Sequence, residues 1–270
     1  MTHATAGSPS PRDQATPPAA RTADWRRAWR ALRTLIAHPE RTDQVVQFIN
    51  AVGGGGDLRA FARFRTHPGG QRLLAMRPSL PDTLSDLARL AAFPAGSLGR
   101  AYAEFMQAEK LDPTGIVDEF RAAEDPALAA ALDPDLRFFF ERFDVIHDLW
   151  HVLTGYGRDE AGEAANLAFT LAQFPTRGVA FLVLAAAVIG PKSFRLSWQR
   201  YLYQAWRRGR RAVDMTVAPY ESLLPLALED VRTLLGIRPA AEVHPEGIIV
   251  ANRDTLGDWP RAVSEEKTPA

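Results

Sequence analysis

The stretch His147-Asp148-Leu149-Trp150-His151, with Glu163 twelve residues further on, decides how this chain is read. The chain has only six histidines, and two of them fall here within five positions. An α-helix turns about 100° per residue, so His147 and His151 project from one face, one turn apart, with Asp148 flanking it. Two imidazoles spaced i and i+4 grip one cation without distorting a helix, as in H-E-x-x-H enzymes.

On an unbroken helix Glu163 would lie roughly 18 Å beyond His151 and could not share that ion. Thr154-Gly155-Tyr156-Gly157 interrupts the helix, because glycine ends helices and accepts φ > 0. Asp159 is the expected N-cap of a second helix. A hairpin there swings Glu163 back toward the two histidines. The spacing therefore predicts a metal site of His147, His151 and Glu163; Asp148 either joins it or orients a histidine from behind.

Composition bounds the rest. Of 270 residues 46% are apolar, enough for one sizeable core, and the formal net charge is zero, which argues against a nucleic-acid partner. No cysteine occurs, so disulfides, thiolate zinc, Fe–S clusters and cysteine nucleophiles are excluded. Arginines number 29 against three lysines, which reads as a GC-rich bacterial genome.

Working outward from the motif, Pro134 or Asp135 opens the metal helix, wrapped by Phe138, Phe139, Phe140 and Phe143. Asp144 and Arg142 lie within about a turn of His147 and are each either an outer partner of the site or an ordinary surface charge, with Arg142 read as the latter. The helix carrying Glu163 runs through Phe169 to Phe174 and stops at Pro175. Gly178–Gly190 is apolar throughout, but its thirteen residues fall short of the roughly twenty that span a bilayer. Residues 192–211 interleave Lys192, Arg195, Arg200, Arg207, Arg208, Arg210 and Arg211 with Phe194, Trp198, Tyr201, Tyr203 and Trp206. That pattern suits either a lipid headgroup surface or a helix packed on the core with its arginines in water.

Upstream, Trp25, Trp29, Leu32, Leu35 and Ile36 recur at helical spacing, and Val45 to Val52 form a second helix ended by Gly53–Gly56. The glycine run lacks the lysine and the preceding strand of a phosphate loop. Ser97 caps a helix through Met106, and residues 114–132 form two short helical turns. A last helix spans about 216–235, and Gly247–Ala251 is the single candidate strand. The expected architecture is all-α: a disordered leader over 1–23, one multi-helix domain over 24–237, and a mostly irregular tail over 238–270.

His147-Asp148-x-x-His151 followed by Glu163 resembles the signature of the coenzyme Q biosynthesis protein Coq-four family. Arg41-Thr42-Asp43, Gly96-Ser97-Leu98-Gly99-Arg100 with Tyr102, Gly155, Gly209-Arg210-Arg211, Tyr220-Glu221 and Leu235-Gly236-Ile237 resemble that family in the same order, covering about residues 30–237. The resemblance implies an all-α protein peripheral to the membrane where ubiquinone is made, here the bacterial cytoplasmic face of the inner membrane. Its partners would be other enzymes of the pathway, with homo-oligomerisation expected. It also implies that His147, Asp148, His151 and Glu163 ligate a divalent metal. The implied activity is oxidative decarboxylation at ring carbon 1 of a polyprenyl-hydroxybenzoate precursor, with hydroxylation there.

Ligand type suits zinc; iron or cobalt fits if the chemistry is oxidative. Phe169, Phe174, Phe181 and Leu184 are the candidate wall for the prenyl tail, against the plainer reading that they belong to the core. The competing reading is a lipid-binding scaffold that organises the pathway's complex. A zinc hydrolase is weaker, because Asp148 would replace the longer glutamate base of H-E-x-x-H enzymes. An HD-type phosphohydrolase shares only the His147-Asp148 doublet.

Overall fold

A computed structural model of the chain describes residues 24–37, 44, 47–48, 51–52, 56–113, 133–190 and 195–244. The expected leader, the turns over 114–132, the Gly247–Ala251 strand and most of the second helix fall outside these residues. What is described is all-α, with no strand and one isolated bridge between Ser97 and Ala227.

In chain order the described helices are α1 (Trp25–Ala37), α2 (Gly56–Thr66), α3 (Pro68–Met76), α4 (Leu80–Ser85), α5 (Leu87–Ala91) and α6 (Leu98–Ala108). They continue with α7 (Pro134–Thr154), α8 (Glu160–Gln173), α9 (Arg177–Ile189) and α10 (Arg195–Arg211). A 3₁₀ turn (Met215–Val217), α11 (Tyr220–Leu223), α12 (Leu228–Leu235) and α13 (Ala240–Val243) complete the series. The single helix expected over 216–235 is thus three pieces. Pro219 cannot continue a helix, and the chain turns again at 224–227, where Leu224 and Leu226 carbonyls accept from Gly99 and Leu98 N–H. Those bonds bring α12 against the N-terminus of α6, which Ser97 caps through Arg100 N–H.

The centre of the molecule is α7. Asp133 caps its start by accepting from Asp135 and Leu136 N–H, and Pro134 sits where its missing N–H costs nothing. One side of α7 buries Val145, Ile146, Leu149, Trp150 and Leu153 against Leu80 and Leu84 of α4, Tyr102 and Met106 of α6, and Tyr220 and Val231. Each fully buried side chain of this size contributes about 1.5–3 kcal/mol before ordering costs. Trp150 Nε1–H donates to Tyr220 Oη at 2.9 Å, and that hydroxyl donates to the Met215 carbonyl, so neither buried polar group is orphaned. Toward its N-terminus, Phe138 and Phe139 join Phe61, Phe64 and Phe174 in a second core.

Arg142 lies in the wall of this core and is not a surface charge: it is 4% exposed. Its two terminal nitrogens engage both carboxylate oxygens of Glu221, and they also donate to the Pro78 and Ala218 carbonyls. A guanidinium can be buried because its planar fork matches one carboxylate and adjacent carbonyls. Periodicity alone could not show the partner, which is 79 residues away.

Helices α8 and α10 pack closely through small side chains. Ala161, Ala164, Ala165 and Ala168 of α8 face Ala205 and Leu202 of α10. At Gly209 a Cβ would come within 2.6 Å of the Phe169 carbonyl oxygen, so this helix crossing admits only glycine. Trp198, Leu202 and Arg208 are buried on this side of α10, whereas Leu196, Tyr203, Arg207, Arg210 and Arg211 are exposed. Residues 196–211 therefore form no continuous basic surface, and Lys192, Phe194 and the Arg195 side chain fall outside what is described. Trp25 and Trp29 also point outward, and α1 uses Ala28, Ala31 and Leu32 to pack on Leu182 of α9. No helix among the described residues is long and apolar enough to cross a membrane.

Candidate metal centre

The hairpin between α7 and α8 brings the sequence-distant glutamate home. Gly155 adopts φ 73°, and its N–H closes the last turn of α7 on the His151 carbonyl at 2.8 Å. Any residue with a Cβ is strained there. Three more carbonyls at the end of α7 are held from outside: Arg232 donates to Val152 and Leu153, and Arg208 donates to Thr154. Cations at a helix C-terminus also oppose its negative dipole end. Asp159 then caps α8 by accepting from Ala161 and Gly162 N–H. Glu163 follows in the first turn and points back at α7.

His147 Nε2 and His151 Nε2 are 3.2 Å apart, and Glu163 Oε2 lies 3.5 Å from the first and 3.4 Å from the second. Metal–ligand bonds of about 2.0–2.1 Å in a tetrahedron give ligand–ligand edges of about 3.3 Å. All three edges match that length. The His151 ring is buried, and its Nδ1–H donates to the Tyr156 carbonyl at 3.0 Å, which directs the Nε2 lone pair into the cluster. Phe105 stacks on the same ring at 5.8 Å and 16°. Two nitrogen lone pairs and a carboxylate facing one point repel each other until a cation or protons lie between them. The donor set thus fits a divalent metal.

Protonation shows the same field. Burial is the largest influence on His147 and would lower its pKa, but the Glu163 hydrogen bond and the charges of Glu163 and Asp148 turn the net direction upward. Burial would raise Glu163; hydrogen bonds from His147 and His151 instead hold its carboxyl well below the usual range.

Asp148 stays outside the three-donor cluster. It is partly buried, and its charge bears on His147 and on Tyr102, whose phenol is pushed above its ordinary value first by burial and then by Asp148. The four residues expected to wall a prenyl groove do not line one surface. Phe169 packs on Trp150, Phe174 on Phe143 and Phe181 on Phe48, while Leu184 is 61% exposed. Sequence reading missed Arg158, whose Nε donates to Glu163 Oε1 at 3.3 Å. A lone arginine in a glycine-rich turn carries no periodic signal, and its place became visible only once the hairpin closed.

The sequence model of the family described as coenzyme Q (ubiquinone) biosynthesis protein Coq4 matches residues 26–241. The mitochondrial ubiquinone biosynthesis protein COQ4 of Phaeosphaeria nodorum is 29% identical over 209 residues, covering 76% of this chain and 68% of that one. The human COQ4 homologue, also mitochondrial, is 27% identical over 223 residues, covering 79% and 77%. A crystal structure from Nostoc punctiforme, of a candidate ubiquinone biosynthesis protein, superposes with TM-score 0.59 at 20% identity over 80% of this chain and 99% of its own. That likeness concerns the fold alone. The family match spans both helices of the metal cluster and the hairpin between them, and the chain belongs to the coenzyme Q (ubiquinone) biosynthesis protein Coq4 family.

Proposed function

We propose that this protein acts in ubiquinone biosynthesis as a metal-dependent enzyme that carries out C1 oxidative decarboxylation of a polyprenyl-hydroxybenzoate precursor. The observation that carries this reading is the convergence of His147, His151 and Glu163 at 3.2–3.5 Å in a Coq4-family chain. A divalent ion held there supplies Lewis acidity toward a phenolate or carboxylate, and, if it is iron or cobalt, redox chemistry toward dioxygen. Zinc fits the ligand types equally well, and such an ion would serve only the first role.

The protein's own residues do the rest. His151 is fixed by the Tyr156 carbonyl, so one donor is preorganised before any ligand arrives. Glu163 is steadied by Arg158, a guanidinium beside the cluster suited to orient the substrate's carboxylate. Asp148 tunes His147 through its charge, and the Phe105 ring covers one side of His151. The ring carbon loses its carboxyl as carbon dioxide and gains a hydroxyl whose oxygen comes from dioxygen. The second oxygen atom leaves as water, with two electrons and two protons drawn from an external two-electron reductant that the assay must include.

A second reading, a lipid-binding scaffold for other enzymes of the pathway, draws on the exposed apolar side chains Trp25, Trp29, Leu184, Val188 and Leu196. The same surface would seat the enzyme on the inner membrane, so the readings differ in turnover and share the location. The test is to strip the purified protein, restore iron, cobalt or zinc, and supply a prenylated hydroxybenzoate with oxygen and the reductant. Carbon dioxide release that follows one metal supports the enzyme; none with any metal leaves the scaffold.

A further inference from the structure

Gln204, Arg207, Arg208 and Arg211 of α10 recur at i, i+3, i+4 and i+7 and so share one face of that helix. After α12 the chain turns at Gly236 and runs back over this face. Together with Gly236, Arg238 and Val243, the four side chains line a pocket of about 210 Å³. Four of its seven lining residues are arginines and none is acidic. Arg207 lies over the Tyr203 ring, and Arg238 pairs with Glu242 at 3.3 Å where both are exposed. The pocket keeps a strong positive excess.

Arg208 is the informative member, being 8% exposed. A guanidinium carries five N–H donors. Nη2 gives its two to the Thr154 and Arg238 carbonyls, while Nε and Nη1 are buried with no hydrogen-bond partner among the described residues. The Tyr156 ring lies 4.6 Å from the guanidinium carbon and softens the charge, and its phenol is a polar neighbour that brings no counter-charge while protonated. A buried cation with unused donors and, among the described residues, no counter-ion is costly unless an anion completes it. Arginine forks match the tetrahedral oxygens of phosphate, and four of them suit a doubly charged group better than a single carboxylate. The volume equals about seven waters at roughly 30 Å³ each, so it holds a phosphate with part of whatever it esterifies.

We propose that this pocket between α10 and the Gly236–Val243 segment binds a phosphate-class anion, with Arg208 as its buried anchor and Arg207, Arg211 and Arg238 completing the positive lining. The anion is either a free phosphorylated metabolite or the headgroup of an acidic phospholipid. The site is distinct from the cluster of His147, His151 and Glu163, and it does not depend on the reaction assigned there.

The test is calorimetric titration of the full-length protein with inorganic phosphate and diphosphate at constant ionic strength in chloride. Saturable binding is expected, weakened about tenfold or more in Arg211→Gln/Arg238→Gln, as the loss of charge-assisted hydrogen bonds implies. Both side chains are exposed, so an unchanged melting temperature should show that this variant folds. The titration is repeated on Glu163→Gln; binding that survives there belongs to the pocket, and binding that vanishes belongs to the metal cluster and overturns the proposal. Phosphatidylglycerol vesicles that compete with diphosphate, where phosphatidylcholine vesicles do not, identify a lipid headgroup; no competition identifies a free phosphorylated compound. Absence of saturable binding, or equal binding by the double variant, also overturns it.

Discussion

Glu163 bonds to His147, His151 and Arg158 at once, so changing it alone separates metal binding from folding. Glu163→Gln keeps the size and removes the charge that balances two imidazoles and a cation. Metal affinity should fall by at least the roughly 100-fold that losing an outer partner of a ligand can cost, with the helical circular dichroism spectrum retained. Elemental analysis after dialysis reads the first outcome; metal retained at wild-type stoichiometry would show that the three donors share no ion. His244 supplies a second test at this scale. Burial, and then the Arg208 charge, push its pKa from 6.5 down to about 4. Its neutral ring shares a hydrogen bond with Tyr156 Oη at 3.3 Å through Nε2 and packs on Tyr201 at 4.6 Å. Because the folded-state value is the lower one, the unfolded chain takes up the proton first as pH falls. Stability is therefore unaffected by this group above about 6.5 and is lost progressively between 6.5 and 4. Denaturant melts of His244→Gln against the wild type should show a stability gap that narrows across that interval; a gap independent of pH would mean that the ring does not titrate there.

The α7–α8 hairpin was legible as an element because each of its parts has a local cause. Gly155 is the left-handed stop, Asp159 the cap, and Glu163 lies in the first turn after it. The i, i+4 histidines were legible for the same reason, since helical spacing is short-range information. Contacts with distant partners were not. Arg142 looked like a solvated charge because its counter-ion, Glu221, sits in a four-residue helix that periodicity had merged into a longer one. Arg208 was read with Arg207, Arg210 and Arg211 as one basic stripe, although its neighbour in space is the end of α7. The Arg142–Glu221 pair makes an element-scale prediction, since it ties the middle of α7 to α11. Glu221→Ala strands a cation that is 4% exposed, still held by two carbonyls. The expected loss is about 3 kcal/mol, at the low end for breaking a buried pair. Replacing both residues, Arg142→Leu with Glu221→Ala, should recover part of it, because no charge is then left without its partner. A single variant no less stable than wild type in urea would refute this account.

At the scale of the whole molecule, polar burial inside and apolar exposure outside set up opposite surfaces. Among the described residues the interior leaves side-chain groups unmatched at Asn166, Thr170 and Arg208, whereas α9 presents Leu184 and Val188, one turn apart, at 61% and 59% exposure. Leu196 at the start of α10 is 80% exposed, and Trp25 and Trp29 stand one turn apart on α1 at 62% each. Isolated exposed apolar residues are ordinary, but apolar pairs at helical spacing on each of two helices that pack together are a surface that water alone does not favour. Indole rings sit well at the headgroup level, and a thirteen-residue apolar helix can lie along a bilayer without crossing it. If this face meets lipid, Leu184→Glu combined with Trp29→Glu should cut flotation with acidic vesicles several-fold. Removing these exposed side chains should leave the melting temperature within a few degrees of wild type. Metal content, read on the same preparations, should also hold, because the cluster lies on α7 and α8. Unchanged flotation would take this face out of contention, and a matching fall in melting temperature would mean that the two side chains serve the fold instead.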